Sequence, residues 1–282
     1  MVPKESSDLD PIAILSDFGY RDHYAGVMKG VIASIAPAAQ VIDITHGIPA
    51  QQIAAGALIL SQSWRFFPPR TIFLAVVDPG VGTDRLPIAI ETRAGARLVG
   101  PDNGLLAPVA HAAGIEQIVE LRNPEYRLPA ASSTFHGRDI FAPAAAWIAR
   151  GVPPDTLGPR IDSIEELDLA AGVMHAAHTL AGRVIYVDTY GNLVTNLSRQ
   201  QVQAFAEGVE HDSLWVRVGG SPAFKVGGTY AEVAVGGSLA LFGSFEMLEI
   251  AVRDGDAAAV FKAGIGAPVI IEKAEHGKKK RH

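Results

Sequence analysis

Residues Ile12–Gly30 read IAILSDFGYRDHYAGVMKG. The apolar run Ile12–Leu15 stops at Ser16 and Asp17, and Tyr20, Arg21, Asp22, His23 and Tyr24 then crowd into the next turn. Beyond them Tyr24, Val27, Met28, Val31, Ile32 and Ile35 recur at three- and four-residue intervals, which predicts a helix with one apolar face ending before Pro37. The same alternation continues. VIDI (41–44) reads as a strand, QQIAAGALILSQSW (51–64) as a helix and TIFLAVV (71–77) as a strand. PIAIE (87–91) and ARLVG (96–100) suggest a hairpin, followed by helix GLLAPVAHAA (104–113), strand IEQIVEL (115–121) and helix DIFAPAAAWIARG (139–151). Strands alternating with helices predict a mainly parallel sheet covered by helices, an α/β sandwich.

After about residue 175 the pattern changes. RVIYVD (183–188), LWVRV (214–218), AEVAVGG (231–237), SLALFG (238–243), MLEIAV (247–252) and PVIIE (268–272) are short β-type runs between Gly-rich turns, with one helical piece at RQQVQAFAEG (199–208). They predict a smaller all-β, barrel-like domain. The expected division is 1–175 for the α/β domain, 176–275 for the β domain and 276–282 for a disordered basic tail, with the boundary in DLAAGVMHAAHTLAG (168–182). A chain of 282 residues suits two domains.

Composition narrows the function. The chain is 48% hydrophobic and 19% charged, enough for a buried core, and it has no cysteine, so disulfides, thiolate catalysis and Cys-ligated zinc are excluded. A formal charge of −6, with GKKKRH (277–282) the one basic block, predicts no nucleic-acid partner. MVPKESSDLDP (1–11) lacks the apolar region of a signal peptide and no apolar run is long enough to span a bilayer, so the expectation is a soluble, cytoplasmic protein without a membrane partner.

The predicted strands share a feature: they end on polar groups. IAILSD ends on Asp17, VIDITH on His46, TIFLAVVD on Asp78, and RLVGPDNG on Asp102 and Asn103. Taken singly, each has an ordinary explanation. Asp17 can cap the turn into the helix near Asp22, Asp78 can bond the backbone of the PGVG loop, Arg85 can be a surface cation, and His136 can sit beside a helix cap. Four such endings in one domain point instead to a polar pocket, because open α/β sheets bind ligands beyond the carboxyl ends of their strands. GxSxG, P-loop, HExxH and GxGxxG signatures are missing. The residues alone leave two readings: a hydrolase holding a metal through Asp and His, or a metal-free site for a cationic or polyhydroxylated ligand.

Six blocks carry a more specific signal. SDFGYRDHYAGVMKGVI, VDPGVGTDR, GPDNGLL, TFHGRDIFAP, DTYGNLVTN and LEIAV occur in the order found in the S-adenosyl-L-methionine (SAM) hydroxide adenosyltransferases, relatives of the SAM-dependent fluorinase and chlorinase, and the chain resembles them over about residues 10–272. The resemblance implies attack of water or hydroxide at C5′ of SAM, giving adenosine and L-methionine, with SAM as substrate and with neither metal nor cofactor. It implies a homotrimer whose active site lies between the α/β domain of one subunit and the β domain of the next. A non-catalytic SAM or adenosine sensor is the alternative on the binding side.

Carried over by motif, Asp78, Arg85 and His136 are the hydroxide-generating set. Asp78 and the pair His136–Gly137 stand where the fluorinase has tyrosine and serine, and the fluorinase's extra loop is missing, since AIETRAGARLVGPDNG (89–104) runs directly from strand to strand. Asp17 resembles the residue that grips the ribose hydroxyls; a carboxylate, being acceptor-only, can take both O–H donors. Asp188 and Asn192 match the methionine end, Asp188 pairing with the ammonium, while Phe135 and Tyr190 are expected as adenosine walls. Asp22 and Asn103, inside matching blocks, join the substrate-binding set. Near the adenine the family usually has Asn followed by a small residue, where this chain has Arg253 and Asp254, and the halogenases' serine–arginine pair is Ser244–Phe245.

Overall fold

In the computed structural model the chain is described over residues 9–129, 132–207 and 213–273, so the basic tail 276–282 lies outside the described residues. Two compact units form, Met1–Leu167 and Asp168–His282, the division coming ahead of the expected 175/176 limit.

The first unit runs β1 (Ile12–Ser16), α1 (Tyr24–Ile35), β2 (Val41–Thr45), α2 (Ile53–Ser63), β3 (Ile72–Val76), β4 (Pro87–Thr92), β5 (Arg97–Pro101), α3 (Ala107–Ala113), β6 (Ile115–Glu120), a π-helical turn at Gly137–Phe141 and α4 (Ala142–Ala149). Its sheet has the order β2-β1-β3-β5-β4-β6. The first four strands are parallel and β4 is antiparallel to both neighbours, so the β4–β5 hairpin expected from sequence is present. β1 and β3 are buried along their whole length, which is why they read as unbroken apolar runs rather than alternating ones. Ile12, Ile14, Ile72 and Leu74 meet Met28 and Ile32 of α1 and the alanines of α4 on one face. On the other face α2 comes so close that a Cβ on Gly56 would stand 2.9 Å from Leu105 and 3.1 Å from Val77.

This order places the site. From β1 the chain crosses to β2 on one side and returns to β3 on the other, so helices diverge between β1 and β3 and leave a crevice beyond their carboxyl ends. Ser16 pairs with Val76 across those ends, which puts Asp17 and Asp78 on the same edge.

The second unit contains β7 (Met174–His175), β8 (Thr179–Val187), β9 (Leu193–Ser198), α5 (Arg199–Phe205), β10 (Leu214–Val218), β11 (Phe224–Lys225), β12 (Ser238–Phe242), β13 (Met247–Val252), α6 (Ala257–Phe261) and β14 (Pro268–Lys273). Antiparallel pairing in the order β11-β10-β14-β8-β9-β13-β12 nearly closes on itself: Gly227 N–H donates to Ala240 O at 2.8 Å beside a Val226–Ala240 bridge. Leu180, Leu193, Val216, Leu248, Ile250 and Val269 fill the interior. The fold class expected from sequence is the one observed.

The short elements β7, β11 and α6 carry no sequence assignment, α6 adding a second helix to the one expected, and two assignments change. AEVAVGG is not a strand; Glu232 turns back to accept the Gly228 and Thr229 N–H groups, and Gly236 takes a φ of +78°, so side-chain capping and a left-handed glycine override the β-branched pattern. Thr179–Gly182, assigned to the boundary, is strand: β8 pairs β14 with its first half and β9 with its second.

Gly100 of β5 passes the β3 backbone so closely that a Cβ would lie 2.3 Å from the Ala75 carbonyl oxygen. Gly100→Ala should therefore cost about 1–3 kcal/mol, the usual range for overpacking. Urea unfolding of the full chain measures this; unchanged stability would mean the two strands separate freely.

Candidate active site

Three side chains from two loops meet beyond the sheet edge. Asp78 follows β3, Arg85 ends the PGVG loop, and His136 opens the π-helical turn. The loop is tight because Gly82 takes a φ of +81° and a Cβ there would strike the Ser133 carbonyl oxygen at 2.7 Å. Arg85 lays its guanidinium fork on the Asp78 carboxylate, Nε donating to Oδ1 at 2.9 Å and Nη2 to Oδ2. Nη2 also reaches His136 Nδ1 at 2.7 Å. The guanidinium carbon lies over the Phe141 ring, 5.2 Å from its centre. Asp78 and Arg85 side chains are only 6% and 8% exposed, so this is an ion pair in a nearly dry wall.

The contact to His136 decides its tautomer. A guanidinium has donors only, so Nδ1 must accept, and the ring proton belongs on Nε2. Burial first, and the Arg85 charge second, push the His136 imidazole below its ordinary range and keep it neutral. The set thus offers carboxylate lone pairs on Asp78 and, on His136, one N–H donor. Arg85 Nη1 is buried and has no hydrogen-bond partner among the described residues, a spare donor in the same place.

A cavity of about 340 Å³ opens beside them, its wall including Asp17, Phe18, Tyr24, Asp78, Phe135 and His136. Asp17 does not cap α1, which has no side-chain cap; its Oδ2 accepts the Gln51 N–H at 2.8 Å. Phe135 meets Phe18 and Tyr24 edge-on at 5.8 and 5.1 Å, a flat apolar corner suited to an aromatic ring. Among the described residues no three His, Asp or Glu side chains group as metal ligands, and no helix is long and apolar enough to cross a membrane.

The other expected residues are placed differently. Asp22 is exposed in the turn before α1 and is not part of this wall. Asn103 spends its amide on the backbone, Nδ2 donating to Val77 O at 2.9 Å and Oδ1 accepting from Leu105 N at 3.2 Å; it buttresses the residue before Asp78. In the second unit Asp188 closes its own turn, accepting the Tyr190 and Asn192 N–H groups at 2.8 and 2.9 Å and the Asn192 amide at 2.9 Å. Tyr190 is 75% exposed. Ser244 sits exposed between β12 and β13, and Arg253 after β13 donates to Val233 O at 2.9 Å. Of the wall residues, Tyr24 reads from sequence as part of the turn and helix face but not as a site residue, and Phe18 and Gln51 are given no role. Gln51 carries no motif signal, since its role comes from a backbone N–H and a φ of +64°.

Residues 12–158 match the SAM hydroxide adenosyltransferase N-terminal domain and residues 182–270 the C-terminal domain. The chain belongs to the SAM hydroxide adenosyltransferase family. A Thermus thermophilus protein named (R)-S-adenosyl-L-methionine hydrolase is 38% identical over 92% of this chain and 98% of its own length. A fluorinase of Nocardia brasiliensis is 27% identical over 92% and 96%. The crystal structure of an uncharacterized conserved protein from Thermotoga maritima superposes with a TM-score of 0.83 at 38% identity, covering 93% of this chain and all of that one.

Because the folded protein holds His136 neutral at pH values where an unfolded chain protonates it, the unfolded state binds more protons below the ordinary imidazole value. Stability from this residue is full above about pH 6.5 and declines as pH falls toward the lowered folded value. Thermal unfolding followed from about pH 7.5 to about pH 5 should show that decline, with a shallower slope in His136→Asn. Equal slopes would mean His136 titrates alike in both states.

Proposed function

We propose that the protein hydrolyses SAM by attack of water at C5′, yielding adenosine and L-methionine, with Asp78 as proton acceptor and Arg85 and His136 orienting it. The observation that carries this reading is the Asp78–Arg85–His136 chain on the wall of a cavity that Asp17 also lines. The hydrolase relatives at 38% identity supply the substrate, and their name specifies the (R) epimer, which we extend to this chain.

The chemistry suits these groups. The leaving group is a neutral thioether and needs no acid, so the protein has to supply an in-line nucleophile, a task in which positioning is worth ~7–11 kcal/mol. Attack by a hydroxide-like oxygen on a sulfonium cancels charge, and a wall that excludes water favours it. One proton must go. His136 Nδ1 is engaged by Arg85 and Nε2 already carries hydrogen, which leaves the Asp78 carboxylate to take it. A halide would meet the carboxylate as a like charge, whereas water can donate to it. Asp17 would accept the ribose hydroxyls, and the Phe18–Phe135–Tyr24 corner would take the adenosine. Asp188, Asn192, Tyr190, Ser244 and Arg253 are retained as the candidate methionine- and adenine-end residues, and Asp22 and Asn103 as outlying members. The named relatives give no support to a metal hydrolase or a sensor.

Turnover of mixed-epimer SAM in ¹⁸O-water with EDTA present tests the reading. Expected are consumption of the (R) epimer, label on the adenosine 5′-oxygen and not on methionine, and no 5′-haloadenosine at high chloride or fluoride. Asp78→Asn should keep SAM binding and lose roughly 10²–10⁴-fold in rate, the range for a general base. Chelator-sensitive activity revives the metal reading, binding without products the sensor, and a normal rate in Asp78→Asn removes that residue's role.

The same reading makes the active species a homotrimer that shares its site between subunits. Light scattering on active protein should report three chains; a fully active monomer contradicts it.

A further inference from the structure

Outside the Asp78 group a second polar line runs through the same unit. Ser16 Oγ lies 2.6 Å from His46 Nδ1, and His46 Nε2 lies 3.3 Å from Asp43 Oδ1. Serine, histidine and aspartate in a row suggest a nucleophile. Ser16 and His46 are each 0% exposed, however, so no substrate atom reaches the hydroxyl.

The donors and acceptors instead define a brace. Phe18 N–H donates to Ser16 Oγ at 3.3 Å, and the hydroxyl proton is left for His46 Nδ1. The imidazole then keeps its one hydrogen on Nε2, facing Asp43, whose other oxygen accepts from Tyr20 Oη at 2.8 Å and Lys29 Nζ at 2.6 Å. Backbone bonds repeat the link, Gly19 N–H to His46 O at 2.7 Å and Ile48 N–H to Ser16 O at 3.4 Å. Burial, outweighing the attraction of Asp43, pushes the His46 imidazole below its ordinary range, consistent with the neutral form this brace needs. What the brace holds is the turn carrying Asp17 and Phe18, both on the cavity wall. Among the described residues the Asp17 carboxylate takes one hydrogen bond, from Gln51, so its direction depends on the backbone under it.

We infer that Ser16 and His46 are positioning residues for the reaction, aiming the Asp17 carboxylate at the ribose hydroxyls through the Ser16–Gly19 turn. This rests on the reading of the cavity as an adenosine site and of Asp17 as its ribose acceptor. A brace that acts through Asp17 matters only to ligands that have ribose hydroxyls, and a merely structural one matters to all.

Calorimetric titration of the full chain with adenosine and with 2′,3′-dideoxyadenosine separates the two. Ser16→Ala should weaken adenosine about tenfold, the value of a hydrogen bond to a charged group, and leave dideoxyadenosine unchanged. His46→Asn keeps an acceptor at the Nδ1 position and should recover most of the affinity that His46→Ala loses, so the inference stays testable if Ser16→Ala folds poorly. Equal weakening of both nucleosides, or no weakening of adenosine, overturns it. Wild-type protein that binds neither nucleoside overturns the adenosine-site reading, and this inference with it; wild type that prefers adenosine while Ser16→Ala keeps that preference overturns this inference alone.

Discussion

A carboxylate in a nearly dry wall must be paired, and the first unit is built around how Asp78 meets that demand. The Arg85 fork takes both oxygens, a pairing in which charge and geometry reinforce each other and in which a lysine would not be equivalent. Because the guanidinium has no acceptor, the same clamp dictates the state of His136: neutral, with its hydrogen on the far nitrogen. One ion pair thus sets which group can accept a proton and which can only donate. The ring of Phe141, at the end of the π-helical turn, lies under the guanidinium.

The sheet supplies the place. Parallel strands bring their carboxyl ends to one edge, and the change of direction between β1 and β3 keeps the helices from covering it. Asp17 and Asp78 come together there for topological reasons, although they lie far apart in sequence. Glycines permit the fit. Gly100 lets β5 pass Ala75, and Gly82 lets the Asp78–Arg85 loop pass Ser133, at distances no side chain would allow.

The barrel-like unit shows a different economy. Its candidate ligand residues are occupied with their own turns: Asp188 closes the turn that ends at Asn192, and Arg253 ties β13 to the Val233 carbonyl. Buried Glu249 accepts a hydrogen bond from the Tyr230 hydroxyl at 2.6 Å; burial raises its carboxyl above the ordinary range, and this bond, which favours the charged form, opposes the rise.

Much of this was legible in the sequence because it is local. Apolar periodicity disclosed most of the strands and helices of both units, since side-chain spacing reflects which face a residue must bury, and polar endings on Asp17 and Asp78 marked the edge where the candidate site lies. Ordered blocks disclosed the family. Tertiary structure alone decided the rest. That Asn103 braces Val77, that Gln51 offers its backbone to Asp17, and that His46 reaches Ser16 depend on segments brought together by strand order and loop closure. The failure at AEVAVGG has a different, local cause: its own Glu232 caps the Gly228 and Thr229 N–H groups just before it. Residue type determines what a group can donate or accept; only the fold determines what stands within its reach.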